Sequence, residues 1–342
     1  MPARETVAEY LTRQGASRRS FLKFCALTAS GLGLSTGAAK IIAQALATTP
    51  RPRVIWLSSQ ECTGCSESLL RSFNPPLEQL LLSDISLDYH NTLMAPSGDA
   101  AEASRLASIA EGGHIVVIDG SVSLAENGAW SIIAGRTALD VIQETCATAG
   151  LIIAVGTCAA FGGIPAAAPN PTDAHGVDVD LPGNQGIIQL GRLTTSAPVV
   201  NVPGCPPVPE VLSGVIVYYL SFGAPPVDSL NRPTAYYGTT VHRNCVRLPA
   251  YRAKLFAESF DDAGARAGHC LLHLGCKGPR THNSCTTQKW NGGTSYPMDS
   301  GHGCLGCAEP GFWDAKSSFY APLSAAELEQ LRLQGYPDIE PF

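Results

Sequence analysis

The densest set of metal-binding side chains in this sequence runs from His242 to Cys307. It reads His242-x2-Cys245, then Cys270-x5-Cys276-x8-Cys285, then Cys304-x2-Cys307. Six of the chain's twelve cysteines fall in these 66 positions, beside one histidine at ligand spacing. His242, Cys245, Cys270 and Cys276 make a set of one imidazole and three thiols. Cys285, Cys304 and Cys307 make a set of three thiols. Soft donors in this number suit zinc or iron–sulfur groups. Three thiols suit a 3Fe–4S cluster, or a site completed by another ligand such as Asp299 or His302, although both read more simply as loop residues. Gly, Asn, Pro and Thr fill the gaps, with no long apolar periodic run. An inorganic group, rather than a hydrophobic core, is expected to hold this region.

Four more cysteines follow predicted strands. Residues 54–57, 114–118, 151–155 and 199–202 are near-continuous apolar runs, and residues 85–89 alternate. A helical pattern follows Cys65 through Leu69, Leu70 and Phe73, and residues 135–150 and 209–220 read as helices. Strands of this kind alternating with helices predict a parallel sheet covered on both faces. Cys62 and Cys65, Cys158, and Cys205 each come just after the carboxyl end of a strand, where open parallel sheets bind ligands. Four converging thiols are the usual complement of a 4Fe–4S cluster. A structural four-cysteine zinc is the competing reading, although such sites usually pair two local Cys-x2-Cys knuckles. Cys146 reads as a small buried hydrophobe. No G-x-G-x-x-G opens a helix, which argues against a dinucleotide site.

Length and charge narrow the class further. With 342 residues, 45% apolar and 15% charged, the chain can build two globular domains. Residues 1–47 hold six Lys or Arg and two acids, a balance of +4, which leaves −10 on residues 48–342 from a whole-chain −6. An acidic body argues against a nucleic-acid partner. Ser17-Arg18-Arg19-Ser20-Phe21-Leu22-Lys23 is a twin-arginine signature, with Arg18 and Arg19 as the recognised pair. A weakly apolar stretch follows, then Ala45-Leu46-Ala47, the preferred cleavage site over Ala43-Gln44-Ala45. Residues 1–47 are therefore expected to be an export leader, with Cys25 a bystander inside it. This route carries folded proteins, so the thiols would be occupied in a reducing cytoplasm before export. No apolar run is long enough to span a bilayer.

Taken together, Glu61-Cys62-Thr63-Gly64-Cys65-Ser66-Glu67-Ser68, Gly156-Thr157-Cys158, Pro203-Gly204-Cys205-Pro206-Pro207, His242-x2-Cys245, Gly275-Cys276-Lys277-Gly278-Pro279 and the run from Gly303 to Pro310 are highly specific. With them the chain resembles the small, electron-transfer subunit of a periplasmic nickel–iron uptake-type hydrogenase, over nearly all of residues 17–320. The resemblance implies an α/β fold: a flavodoxin-like parallel-sheet domain over 48–207, then an irregular cluster-binding domain with short helices over 208–342. It implies a proximal 4Fe–4S cluster on Cys62, Cys65, Cys158 and Cys205. It further implies a medial 3Fe–4S cluster on Cys285, Cys304 and Cys307, with Pro297 near the place of a fourth ligand. The distal 4Fe–4S cluster would sit on His242, Cys245, Cys270 and Cys276.

In this family the nickel–iron centre sits in a separate large subunit, so this chain would hold no catalytic residue. Glu61, beside the first ligand, would have an interface or proton-transfer role. Electrons would pass on to a cytochrome or another membrane acceptor, and the location would be periplasmic. Oxygen-tolerant relatives carry two extra cysteines at the positions of Gly64 and Gly163, so an oxygen-sensitive enzyme is expected. The competing functions are a stand-alone iron–sulfur electron carrier and a zinc-stabilised binding module.

Overall fold

The computed structural model describes residues 5–13, 17–73, 85–313 and 320–333. Its centre is a five-stranded sheet. The strands are β1 (Arg53–Ser58), β2 (Ser86–Tyr89), β3 (Ile115–Asp119), β4 (Leu151–Val155) and β5 (Val199–Val202). Every neighbouring pair is parallel, and the order is β2-β1-β3-β4-β5. This is the flavodoxin-like order, whose switch point lies between β1 and β3. Successive side chains alternate between the two faces. Val54, Trp56, Val117 and Ile153 enter one core, while Ile55, Leu57, Ile118 and Ile152 enter the other. Both faces are covered, which is why the strands read as unbroken apolar runs.

Three helices precede β1: α1 (Val7–Arg13), α2 (Arg18–Gly31) and α3 (Thr36–Thr48). Ser17 caps α2, its hydroxyl accepting from the Ser20 N–H at 3.1 Å. Phe24 and Cys25 of α2 join Ile42 and Leu46 of α3 in a small apolar core closed by Val217. The stretch that reads as a weakly apolar leader thus folds as two helices lying on the body.

Four further helices belong to this domain, α4 (Gly64–Leu70), α5 (Asp99–Glu111), α6 (Ala138–Cys146) and α7 (Gly156–Phe161), of which α4 and α7 carry site cysteines. Cys146 is buried in the second core, as a small hydrophobe would be. Helix α5 carries no strong apolar stripe. Its buried face includes Arg105, whose guanidinium donates to Glu102, Glu144 and Thr145. Helix α8 (Pro209–Phe222) packs Val211, Leu212 and Val215 under the first core.

Beyond α8 the described chain is short turns and short helices, ending in the helix Ala325–Leu333. A hydrophobic core does reach this region, contrary to the reading of its sequence. Val241, Leu271, Tyr296, Met298 and Ala308 are buried in one cluster with Cys276, Cys285 and Cys304. Each short loop supplies only one or two of these residues, so no periodicity marks them. Among the described residues no helix is long and apolar enough to cross a membrane.

Candidate metal centres

The ten cysteines of the three sets are free thiols. The first four sit at the carboxyl edge of the sheet. Cys62 lies exposed in the turn after β1, Cys65 in the first turn of α4, Cys158 in α7 after β4, and Cys205 just past β5. Gly156 starts α7 at φ +83°, and a Cβ there would stand 2.4 Å from the Cys65 sulfur. Only glycine both takes that conformation and leaves room for the thiol. Burial, reinforced by the other thiols nearby, raises the Cys205 thiol to about 12. Burial likewise drives Cys65 well up and Cys158 to about 11. Cys65 feels the charge of Cys158 and Cys205, and both of those feel the charge of Cys62. The four sulfurs therefore share one crevice.

Asp119 ends β3 at the same edge and is only 1% exposed. Burial, then the charge of Glu61, pushes its carboxyl up to about 7. The Ser66 hydroxyl donates to it at 3.4 Å. Glu61 is half-buried, which raises its carboxyl, and it accepts the N–H of Thr63.

Cys285, Cys304 and Cys307 line a cavity of about 670 Å³, together with Cys205 and Pro297. Burial raises all three thiols, Cys307 to about 11 and Cys304 to about 12. The two alternative ligands are engaged elsewhere. Asp299 pairs with Lys289 at 3.1 Å, and His302 Nδ1 donates to the Gly303 carbonyl at 2.8 Å. The third set lines one pocket: His242, Cys245, Cys270 and Cys276, roofed by Leu248 and Met298. The His242 ring meets Tyr251 edge-on at 4.6 Å.

The three sets touch in series. The Cys304 N–H donates to the Cys276 sulfur at 3.3 Å, and the Lys277 N–H donates to the Cys304 carbonyl at 2.7 Å. On the other side, the Thr157 hydroxyl accepts from the Gly204 N–H at 2.9 Å and donates to the Cys307 carbonyl. The donor sets suit iron–sulfur groups: clustered soft thiols, largely screened from water, with backbone and side-chain donors among them. Among the described residues no three His, Cys, Asp or Glu side chains converge tightly enough for a single metal ion. Ligands of a polynuclear cluster stand farther apart.

The structure thus brings Cys62, Cys65, Cys158 and Cys205 to one crevice, Cys285, Cys304 and Cys307 to one cavity that Cys205 also lines, and His242, Cys245, Cys270 and Cys276 to one pocket. The sequence alone assigns no role to Asp119, Thr157 or Lys277. For Asp119 a signal exists, since its apolar run ends in an acid at the row where the other strands lead into cysteines. Arg18 opens α2 and Arg19 is exposed, both far along the chain from any thiol set.

Two family models match the chain. One is the 20 kDa subunit of NADH ubiquinone oxidoreductase, over residues 62–219. The other is the C-terminal part of the NiFe/NiFeSe hydrogenase small subunit, over residues 237–320. The uptake hydrogenase small subunit of Afipia carboxidovorans is 45% identical, over 99% of this chain and 89% of that protein. The periplasmic NiFe hydrogenase small subunit 1 of Nitratidesulfovibrio vulgaris is 46% identical, over 93% of this chain and 97% of that one. Among solved structures, the NiFeSe hydrogenase of Desulfomicrobium baculatum superposes with a TM-score of 0.72 at 33% identity, covering 80% of this chain and 100% of that one. With likeness of this extent over nearly its whole length, the chain belongs to the family of nickel–iron hydrogenase small subunits, the partner of a large subunit in a hydrogenase heterodimer.

Proposed function

We propose that this chain conducts electrons between the nickel–iron site of its large subunit and an external acceptor. It would do so with a proximal 4Fe–4S cluster on Cys62, Cys65, Cys158 and Cys205, a medial 3Fe–4S cluster on Cys285, Cys304 and Cys307, and a distal 4Fe–4S cluster on His242, Cys245, Cys270 and Cys276. The observation that carries this reading is the serial contact of the three sets, Thr157 to Cys307 and Cys304 to Cys276. When bound, such groups supply one-electron redox chemistry with little rearrangement. The chain's own residues do the rest. They fix the sulfurs, keep water out through Tyr296, Met298 and Leu271, and offer N–H donors to the thiolates.

The exposed Cys62 marks the face that the large subunit must reach, and Glu61 beside it has a contact or proton-transfer role there. His242, a neutral ligand where the other sets offer thiolate, makes the distal group less negative and suits an exit. The acceptor is a cytochrome or a comparable membrane carrier. The Arg18-Arg19 pair directs export to the periplasm through the twin-arginine route, with residues 1–47 as the leader, and membrane attachment comes through a partner.

Co-expression with the large subunit tests the reading. The heterodimer should reduce a one-electron dye under hydrogen, whereas the large subunit alone should not. A small chain that purifies alone, and cycles with a donor in the absence of nickel, would favour a stand-alone carrier instead.

A further inference from the structure

A lysine is buried between two of the ligand sets. Lys277 follows Cys276 directly and is 1% exposed. Its N–H donates to the Cys304 carbonyl at 2.7 Å. Its stem lies along the Cys304–Cys307 loop, 3.5 Å from where a Cβ on Gly306 would stand. Its Nζ donates to the Gly275 carbonyl at 2.9 Å and to the Ala321 carbonyl.

Among the described residues no carboxylate pairs with this ammonium. The nearby Glu327 is held by Arg280 at 2.9 Å. A buried cation is costly unless an opposite charge compensates it. Two carbonyl dipoles orient it but bring no net charge. The ammonium is opposed by the Arg280 cation and favoured by the charge of Cys276, then Glu327, then Cys304. With Glu327 paired to Arg280, the net charge left to balance it comes from the two sulfurs, which become thiolates when they hold metal.

We propose that Lys277 is the positioning charge of the medial–distal segment. It balances ligand thiolates on both sides, favours loading of both groups, and holds their reduction potentials above those the same ligands would give alone. An electron arriving on either group finds a fixed positive charge beside it, in surroundings where a charge acts strongly. The inference rests on the ligand assignment proposed above.

The experiment uses the heterodimer, with Lys277→Gln to remove the charge and Lys277→Arg to keep it. Iron and sulfide content are measured first, then the potentials, by titration followed with electron paramagnetic resonance. If the wild type shows no iron–sulfur signals, the ligand assignment fails before Lys277 is in question. Otherwise Lys277→Gln should move the medial and distal potentials negative and leave the proximal one in place, and Lys277→Arg should restore them. A glutamine variant that fails to load where the arginine variant loads also shows that the charge is required. Unchanged potentials in a loaded Lys277→Gln protein would overturn the proposal. Loss of loading in both variants would overturn it too, since shape rather than charge would then be the cause.

Discussion

The N–H of Cys304 donates to the sulfur of Cys276 at 3.3 Å, joining two ligand sets across 28 residues of chain. A hydrogen bond to a ligand sulfur withdraws charge from it and raises the potential of the group it serves. Here the donor belongs to one set and the acceptor to the next, so the contact tunes and connects at once. On the other side Thr157 connects without touching a sulfur, accepting from the Gly204 N–H and donating to the Cys307 carbonyl.

That second bridge can be cut with little change of shape. Thr157→Val keeps the β-branched side chain but leaves the Gly204 N–H and the Cys307 carbonyl without their partner. Each buried orphan costs about 1–3 kcal/mol. We expect a fall of about 2–6 kcal/mol in the stability of the heterodimer, with dye reduction slowed and hydrogen–deuterium exchange at the partner's metal centre retained. Unfolding curves and the two assays together check this. A loss of exchange equal to the loss of dye reduction would mean that the large subunit was damaged instead.

His90 gives a pH dependence whose sign can be stated. It is fully buried beside Trp56, its Nδ1 accepts the Thr92 N–H at 3.1 Å, and burial lowers it from 6.5 to about 4. A depressed folded value means that its contribution is complete above about 6.5 and is lost as pH falls toward about 4. Between pH 7 and pH 5 the wild type should lose about 2 kcal/mol that a His90→Gln variant does not lose. Parallel unfolding titrations that show the same slope for both proteins would contradict this.

The leader should be ordered in the full-length precursor. Leu46, the centre of Ala45-Leu46-Ala47, is 1% exposed and lies inside α3, against Val217. A peptidase needs an extended, accessible chain, so α3 must unwind first. Amide exchange over residues 36–48 should be slow in the wild type and fast in Val217→Asp, and the variant's leader should be cleaved faster by added peptidase. Separately, Arg18→Lys with Arg19→Lys should strand the protein in the cytoplasm. Normal periplasmic accumulation of that double variant would remove the export reading while leaving the docking result intact.

Two glycines lead us to predict oxygen sensitivity. A Cβ at Gly64 would stand 3.1 Å from the Cys62 sulfur, and one at Gly163 would stand 2.8 Å from the Cys158 sulfur. Both positions therefore abut the proximal thiols, and neither supplies a sulfur of its own. Without added thiolates the site has no compensation for a second positive charge. Under a hydrogen–oxygen mixture, film voltammetry should show the oxidation current stop and return only after reduction. Sustained current at a few per cent oxygen would refute this.

Much of the sheet is readable in the sequence because it is buried on both faces. Residues 151–155 and 199–202 form strands over their full predicted length, since unbroken apolar runs between turns leave little choice. Helix α5 is not legible, because its buried face holds Ala101, Arg105 and Ser108 rather than an apolar stripe. Cysteine spacing and family motifs suffice to propose the ligand sets. Their contacts in space are not, because the Cys304–Cys276 and Thr157–Cys307 bonds join aperiodic loops. Nothing in the pattern around Lys277 announces a buried cation, since a lone lysine among Gly and Pro reads as a surface turn.

The central claim is that the three thiol sets hold iron–sulfur groups in series. Mössbauer spectroscopy of the ⁵⁷Fe-enriched heterodimer, with sulfide and zinc analysis of the same sample, tests it most directly. The account predicts about eleven small-subunit irons in three spectroscopically distinct clusters, one of them with three irons. Zinc at these sites, or iron confined to a single cluster, would contradict it.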